Sequence, residues 1–206
     1  MLYLIVPRYL YKMKKKLALE NWERCEHFNF FNQFEEPFYG VCVSLDCTNA
    51  YQFSKSNGIS FFLYYLHKCL AAANAIEPFK YRIEDDEVFI YDVINAGATV
   101  GRENGTFGFG YFYYHNSLED FVTAASEEIK RVKGTTELAR SPKNDLIRCS
   151  AFSVKDSCPK ISFGKVTELN GKKTMPVSVH VHHALVDGIN VGSFIDRFQN
   201  LMNGNI

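Results

Sequence analysis

Near the C-terminus the chain reads His182-His183-Ala184-Leu185-Val186-Asp187-Gly188, two adjacent histidines followed by an acid and a glycine. Histidine is the side chain best suited to taking up and returning a proton near neutral pH. An aspartate four residues beyond the second imidazole can help fix its geometry or its charge. The chemistry this set could do is proton transfer to or from a reacting hydroxyl or thiol. The plain alternative is one core histidine, one surface histidine and an aspartate that caps a helix.

The flanking elements place the pair at the end of a strand and leave both readings open. Residues 176–181 alternate apolar with small or polar side chains, the pattern of a half-buried strand. Residues 189–202 repeat apolar positions at helical spacing. The histidines therefore sit where a strand ends, with Asp187-Gly188 leading into a helix. Neighbouring strand residues point to opposite faces, so only one of the two imidazoles can face a given cleft.

Upstream, residues 40–47 alternate as a strand and 48–54 read as a short capped helix. Asn57-Gly58 marks a turn, after which Ser60 begins a helix that is apolar nearly all round and therefore buried scaffold. His67 on that helix is read as a satisfied core or interface histidine and not a ligand. Residues 80–91 form a hairpin turning at Asp85-Asp86, so the acidic run 84–87 is solvated turn charge and not a metal site. Two more strands, 94–101 and 106–114, flank Glu103-Asn104-Gly105. Residues 107–111 are glycine-rich, but no helix follows them, which excludes a phosphate loop. An amphipathic helix spans 117–133, and strands follow at 146–154, 160–166 and 174–182. Helices are expected on one face of a mixed sheet, an α/β (α+β) two-layer sandwich.

Composition narrows the function classes. Lys+Arg and Asp+Glu both number 23, so no net charge draws the chain to nucleic acid or to an anionic membrane surface. At 206 residues with 47% apolar content, one well-buried domain is expected over 17–206. Six scattered cysteines without a CxxC pair fit reduced thiols in the cytoplasm, neither a disulfide framework nor a zinc site. Residues 1–16 are expected to be an N-terminal extension, disordered or upstream of a natural start at Met13. The apolar run 2–6 is cut by Pro7-Arg8 short of a signal-peptide core.

Three segments together carry a resemblance. The HHxxxDG motif at a strand-to-helix junction resembles the chloramphenicol acetyltransferase family, and it also occurs in dihydrolipoamide acyltransferases and peptide-synthetase condensation domains. Trp22-Glu23-Arg24-Cys25-Glu26-His27-Phe28 is similar to the first family's N-terminal W-x-R-x-E-H-F segment. Ile161-Ser162-Phe163-Gly164-Lys165 is similar to its hydroxyl-bearing strand with a following Gly-Lys pair.

The resemblance implies acetyl transfer from acetyl-CoA, a co-substrate and not a tightly bound cofactor, to a hydroxyl of a small acceptor, with chloramphenicol as a candidate. It implies His183 as general base and a structural role for His182. It implies an ion pair between Asp187 and Arg24 that holds the site's shape, with Gly188 as further support. Ser150 matches the serine that donates to the oxyanion, and Ser162 stands where the family has a threonine that orders a water. Lys165 could meet a coenzyme A phosphate, or be an ordinary solvated lysine. Phe31, with Phe28 in the same aromatic cluster, is expected in the acceptor pocket. The family's active site lies between subunits of a homotrimer.

The chain departs from the family after Ser150, where the stretch before Pro159 is clearly shorter, and at Val166, where the family has tyrosine. The shortening makes Ser153 a second candidate for the oxyanion position. Two other readings stand beside the first: a degenerate, non-catalytic trimeric member of the fold, and an acyltransferase for another acyl or lipoyl substrate.

Overall fold

The computed structural model describes residues 14–138, 143–149 and 156–204. In chain order its elements are β1 (Lys14–Lys16), α1 (Cys25–Phe31), β2 (Phe38–Asp46), α2 (Thr48–Ser56), α3 (Phe61–Ala75), β3 (Tyr81–Glu84) and β4 (Glu87–Tyr91). There follow β5 (Asn95–Gly101), β6 (Phe107–Phe112), α4 (Leu118–Lys133), β7 (Leu146–Arg148), β8 (Lys160–Phe163), β9 (Thr167–Leu169), β10 (Lys172–His182) and α5 (Gly188–Met202).

The main sheet runs β2-β10-β8-β7-β5-β6, with β9 hairpinned onto the start of β10. It is mixed: β7 lies parallel to both β5 and β8, and the other pairs are antiparallel. The alternation read in the sequence of β10 becomes a division of faces. Met175, Val177, Val179 and Val181 are buried, while Pro176, Ser178 and His180 point the other way. The buried row joins one core with Leu63, Leu66 and Leu70 of α3 and with Phe194 and Phe198 of α5. Each such side chain, taken out of water, contributes about 1.5–3 kcal/mol. The core therefore holds the C-terminal end of β10 against α5, and the histidine pair lies at that junction.

Where two strands lie close, glycine is required. Gly40 of β2 pairs with His180 of β10, and a Cβ at Gly40 would fall 2.3 Å from Cδ2 of that imidazole.

Two features depart from the expected layout. A second sheet, β1-β4-β3, stands beside the main one. Residues 14–16, expected within the extension, pair with Phe89–Tyr91: Lys14 lies 4.2 Å over the Phe89 ring and pairs with Glu84, and Lys16 pairs with Glu87. The acidic hairpin thus recruits the lysine run. Its turn has φ of +50° at Asp85 and +61° at Asp86, as a two-residue hairpin demands. The other unread element is β9, whose turn at Asn170-Gly171 has the same left-handed backbone. Residues 1–13 lie outside the described residues. Among those described, no helix is long and apolar enough to cross a membrane.

Candidate active site

At the end of β10 the chain turns sharply. His183 N–H donates to the Pro37 carbonyl at 2.7 Å, and the amides of Leu185 and Val186 both donate to the His182 carbonyl, at 2.9 and 3.0 Å. Asp187 occupies the N-cap of α5, where its own N–H donates to Asn190 Oδ1 at 2.9 Å. The helix-capping reading of Asp187 is thus correct as far as it goes, and the carboxylate has a second engagement. Its Oδ2 pairs with Arg24 Nη1, while Arg24 Nη2 donates to the His183 carbonyl at 3.0 Å. One guanidinium therefore grips the cap and the main chain of the histidine together, using the fork of donors that lysine lacks.

The His183 ring is held on its faces. It stacks on Phe31 with centroids 3.9 Å apart and planes 11° from parallel, and Tyr39 packs at 4.5 Å and 46°. Nδ1 stands 3.6 Å from Asp187 Oδ1, an electrostatic contact too long for a hydrogen bond. Burial pushes the Tyr39 phenol up, an effect that Arg24 partly opposes. Among the described residues the Tyr39 hydroxyl, buried beside the imidazole, has no hydrogen-bond partner. Sequence reading passed over Tyr39; its placement by strand register one residue after Phe38 was the available signal.

His182 faces the other way, as strand alternation requires. It is 7% exposed and meets the edge of Phe38 at 5.2 Å and 77°. Burial, then the charges of Lys160 and His183, pull its pKa down to about 4. Lys160 belongs to a buried ionic chain: Arg148 Nε donates to Asp156 Oδ2 at 2.7 Å, and Lys160 Nζ approaches Asp156 Oδ1 at 3.4 Å. Burial raises the Asp156 carboxyl, but Lys160 and Arg148 outweigh it and hold the group below its usual value. None of the three was anticipated from sequence, although cations inside the short strands β7 and β8 are unusual.

The structure thus gathers Arg24, Phe31, His183 and Asp187. Of the other candidates, Gly188 directly follows Asp187. Ser162 of β8 pairs with Ser178 of β10, on the sheet face that carries His180 and Lys160. It is four residues short of His182 along β10, roughly 13 Å away. Lys165 is exposed just past β8. Gly188 is exposed at the first turn of α5, with open space where a Cβ would stand. Phe28 is 4% exposed and packs in the core against Trp22, with centroids 6.0 Å apart, so α1 sends Phe28 inward and Phe31 to the imidazole. Ser150 and Ser153 lie outside the described residues. Beside the site, Phe30 and Phe34, 60% and 48% exposed, pack around Phe31.

Comparisons with known proteins agree with this architecture. A family model described as chloramphenicol acetyltransferase matches residues 13–170. A chloramphenicol acetyltransferase of Proteus mirabilis is 28% identical over 199 residues, 88% of this chain and 91% of the relative. Chloramphenicol acetyltransferase 3 of Escherichia coli is 25% identical over 93% of this chain and 98% of its own length. A solved chloramphenicol acetyltransferase superimposes with a TM-score of 0.86 at 30% identity, covering 92% of this chain and all of that one. A dihydrolipoamide acetyltransferase of Azotobacter vinelandii shares the fold, with a TM-score of 0.63 at 13% identity and 86% of each chain covered.

Proposed function

The chain belongs to the chloramphenicol acetyltransferase family, and on that premise we propose that it transfers an acetyl group from acetyl-CoA to a hydroxyl of chloramphenicol, with His183 as general base. The observation that carries this reading is the grip on His183: Arg24 holds Asp187 and the histidine's own carbonyl, while Phe31 and Tyr39 hold the ring. A base so held can meet a hydroxyl in one orientation, which is what converts binding into a near-attack geometry. The carboxylate near Nδ1 favours the tautomer protonated there and leaves the Nε2 lone pair for the substrate.

The steps follow from that assignment. Nε2 takes the acceptor's hydroxyl proton as the oxygen adds to the thioester carbonyl. The tetrahedral oxyanion is met by hydroxyl donors, for which Ser150 and Ser162 are the candidates. Collapse breaks the carbon–sulfur bond, and the imidazolium returns its proton to the coenzyme A thiolate. Lys165, exposed just past the hydroxyl-bearing strand, is the candidate for meeting a phosphate of coenzyme A, with an ordinary solvated lysine as the alternative. Asp187 acts by holding shape, not as a proton relay.

Ser162 lies too far along β10 to serve the oxyanion formed at its own chain's His183. That separation, with the exposed rings of Phe30 and Phe34 around Phe31, supports a homotrimer in which His183 of one chain faces the hydroxyl-bearing sheet of the next. All six cysteines are free thiols, which fits the reducing cytoplasm. The lipoyl-substrate reading has only the shared fold behind it.

The test is product identity. Purified protein is given acetyl-CoA with chloramphenicol, with a panel of small alcohols, and with dihydrolipoamide, and the products are examined by mass spectrometry. Acetylated chloramphenicol is expected; transfer to dihydrolipoamide alone, or to nothing, would contradict the proposal.

A further inference from the structure

Two buried cations and a half-buried carboxylate that the acetyl-transfer chemistry does not use lie beneath the first histidine. Lys160 is 5% exposed and Arg148 6%. The Lys160 ammonium has three donors and no acceptor, and all three are engaged: by the carbonyls of Asp156 and Cys158 at 3.1 and 3.0 Å and by Asp156 Oδ1 at 3.4 Å. The same carboxylate accepts from Arg148 Nε at 2.7 Å. So fastened, the ammonium sits 3.8 Å from the centroid of the Phe38 ring. That ring meets His182 edge-on, and His182 precedes the base directly.

Buried ion pairs are poor stabilisers, because apolar residues of the same volume commonly do as well or better. A chain of buried charges that ends on the active-site corner therefore calls for a role in the corner itself. We infer that Lys160 is a positioning residue for acyl transfer: pinned by Asp156, its ammonium holds Phe38 against His182 and so fixes the corner from which His183 follows. This rests on the reading of His183 as the base. His183 must become an imidazolium during each turnover, and a second positive charge on the adjoining residue would oppose that state. The charged and titratable groups around His182 are Lys160, which pairs with His180 across the strands, His183 next in the chain and His180 on the same face. Asp156 and Arg148 stand behind Lys160. Burial and then Lys160 are the leading causes that keep His182 neutral to about pH 4.

The test follows the His182 imidazole by NMR titration in wild type, Lys160→Met and Lys160→Arg, together with steady-state kinetics. In wild type His182 stays neutral well below the ordinary histidine range. In Lys160→Met it titrates at higher pH, and kcat falls on the order of tenfold as the corner loosens. KM for acetyl-CoA stays within about twofold, because ground-state binding is not involved. Lys160→Arg keeps the charge and restores the neutrality of His182 and most of kcat. A folded Lys160→Met protein with wild-type titration and wild-type kcat overturns the inference. If Lys160→Met does not fold, wild type decides: ordinary titration of His182 overturns the inference and persistent neutrality supports it. A wild-type protein without acetyl transfer sinks the functional reading, whereas the titration still reports on Lys160, so the two failures are separable.

Discussion

Replacing Asp187 with asparagine separates two accounts of the acid in the motif. In the first, the carboxylate holds the site's shape through Arg24; in the second, it tunes the charge of His183 across the 3.6 Å to Nδ1. Asparagine keeps the side chain's outline and its ability to cap α5, so the perturbation falls on the charge. Breaking one side of a fully buried ion pair costs about 3–5 kcal/mol, and an exposed pair contributes about 0–1 kcal/mol. The Arg24 side chain is 17% exposed and that of Asp187 34%, which places Asp187→Asn between those limits, at about 2 kcal/mol. In a chain of this length each kcal/mol moves the melting temperature by about 2–4 °C, so a fall of roughly 4–8 °C is expected. Turnover should fall alongside, because Arg24 also holds the His183 carbonyl. Thermal melts and kcat/KM on the same preparation provide the assay, with Arg24→Met and the double variant completing a cycle. Non-additive losses in that cycle locate the effect in the pair. An unchanged melting temperature with collapsed turnover would refute the shape account and favour the electrostatic one.

Two further outcomes follow from the geometry. Phe31→Ala removes the ring stacked on His183, a contact worth about 0.5–1.5 kcal/mol; kcat/KM for the acceptor should drop by roughly three- to tenfold, and an unchanged value would show that the stack does not orient the base. The neutral His182 makes stability depend on pH. Its folded pKa of about 4 lies below the ordinary 6.5, so the unfolded chain takes up a proton that the folded chain refuses. Its contribution is fully present above about pH 6.5 and lost as pH falls toward about 4, to an upper limit of about 3 kcal/mol. Urea unfolding at several pH values should show this slope in wild type and a shallower one in His182→Gln.

The sequence announced the strand that carries the motif, because the alternation along 174–182 is local and only one register buries its valines. It also announced the Asp85-Asp86 hairpin through its turn residues. The same logic could have found β9, since Asn170-Gly171 is a strong hairpin signal, but the short exposed strand before it has no apolar pattern. The Arg24–Asp187 pair has no local signature at all: Arg24 lies 159 residues before the carbonyl it holds, and only the resemblance joined the two segments. The Arg148–Asp156–Lys160 chain was illegible for a related reason. Its members meet because Arg148 of β7 and Lys160 of β8 pair across parallel strands, with Asp156 just ahead of β8, a register that composition does not disclose. Phe28 and Phe31 shared one expected role; in the structure Phe28 is buried against Trp22 and Phe31 stacks on His183.

The most direct test of the account compares wild type with His183→Ala in chloramphenicol acetylation, followed by thiol release from acetyl-CoA. General-base catalysis contributes about 10²–10⁴-fold, so kcat should fall by that order while coenzyme A binding, measured by calorimetry, is retained. Acetylation that survives the substitution at wild-type rate would contradict the assignment of His183 as the base and the mechanism built on it.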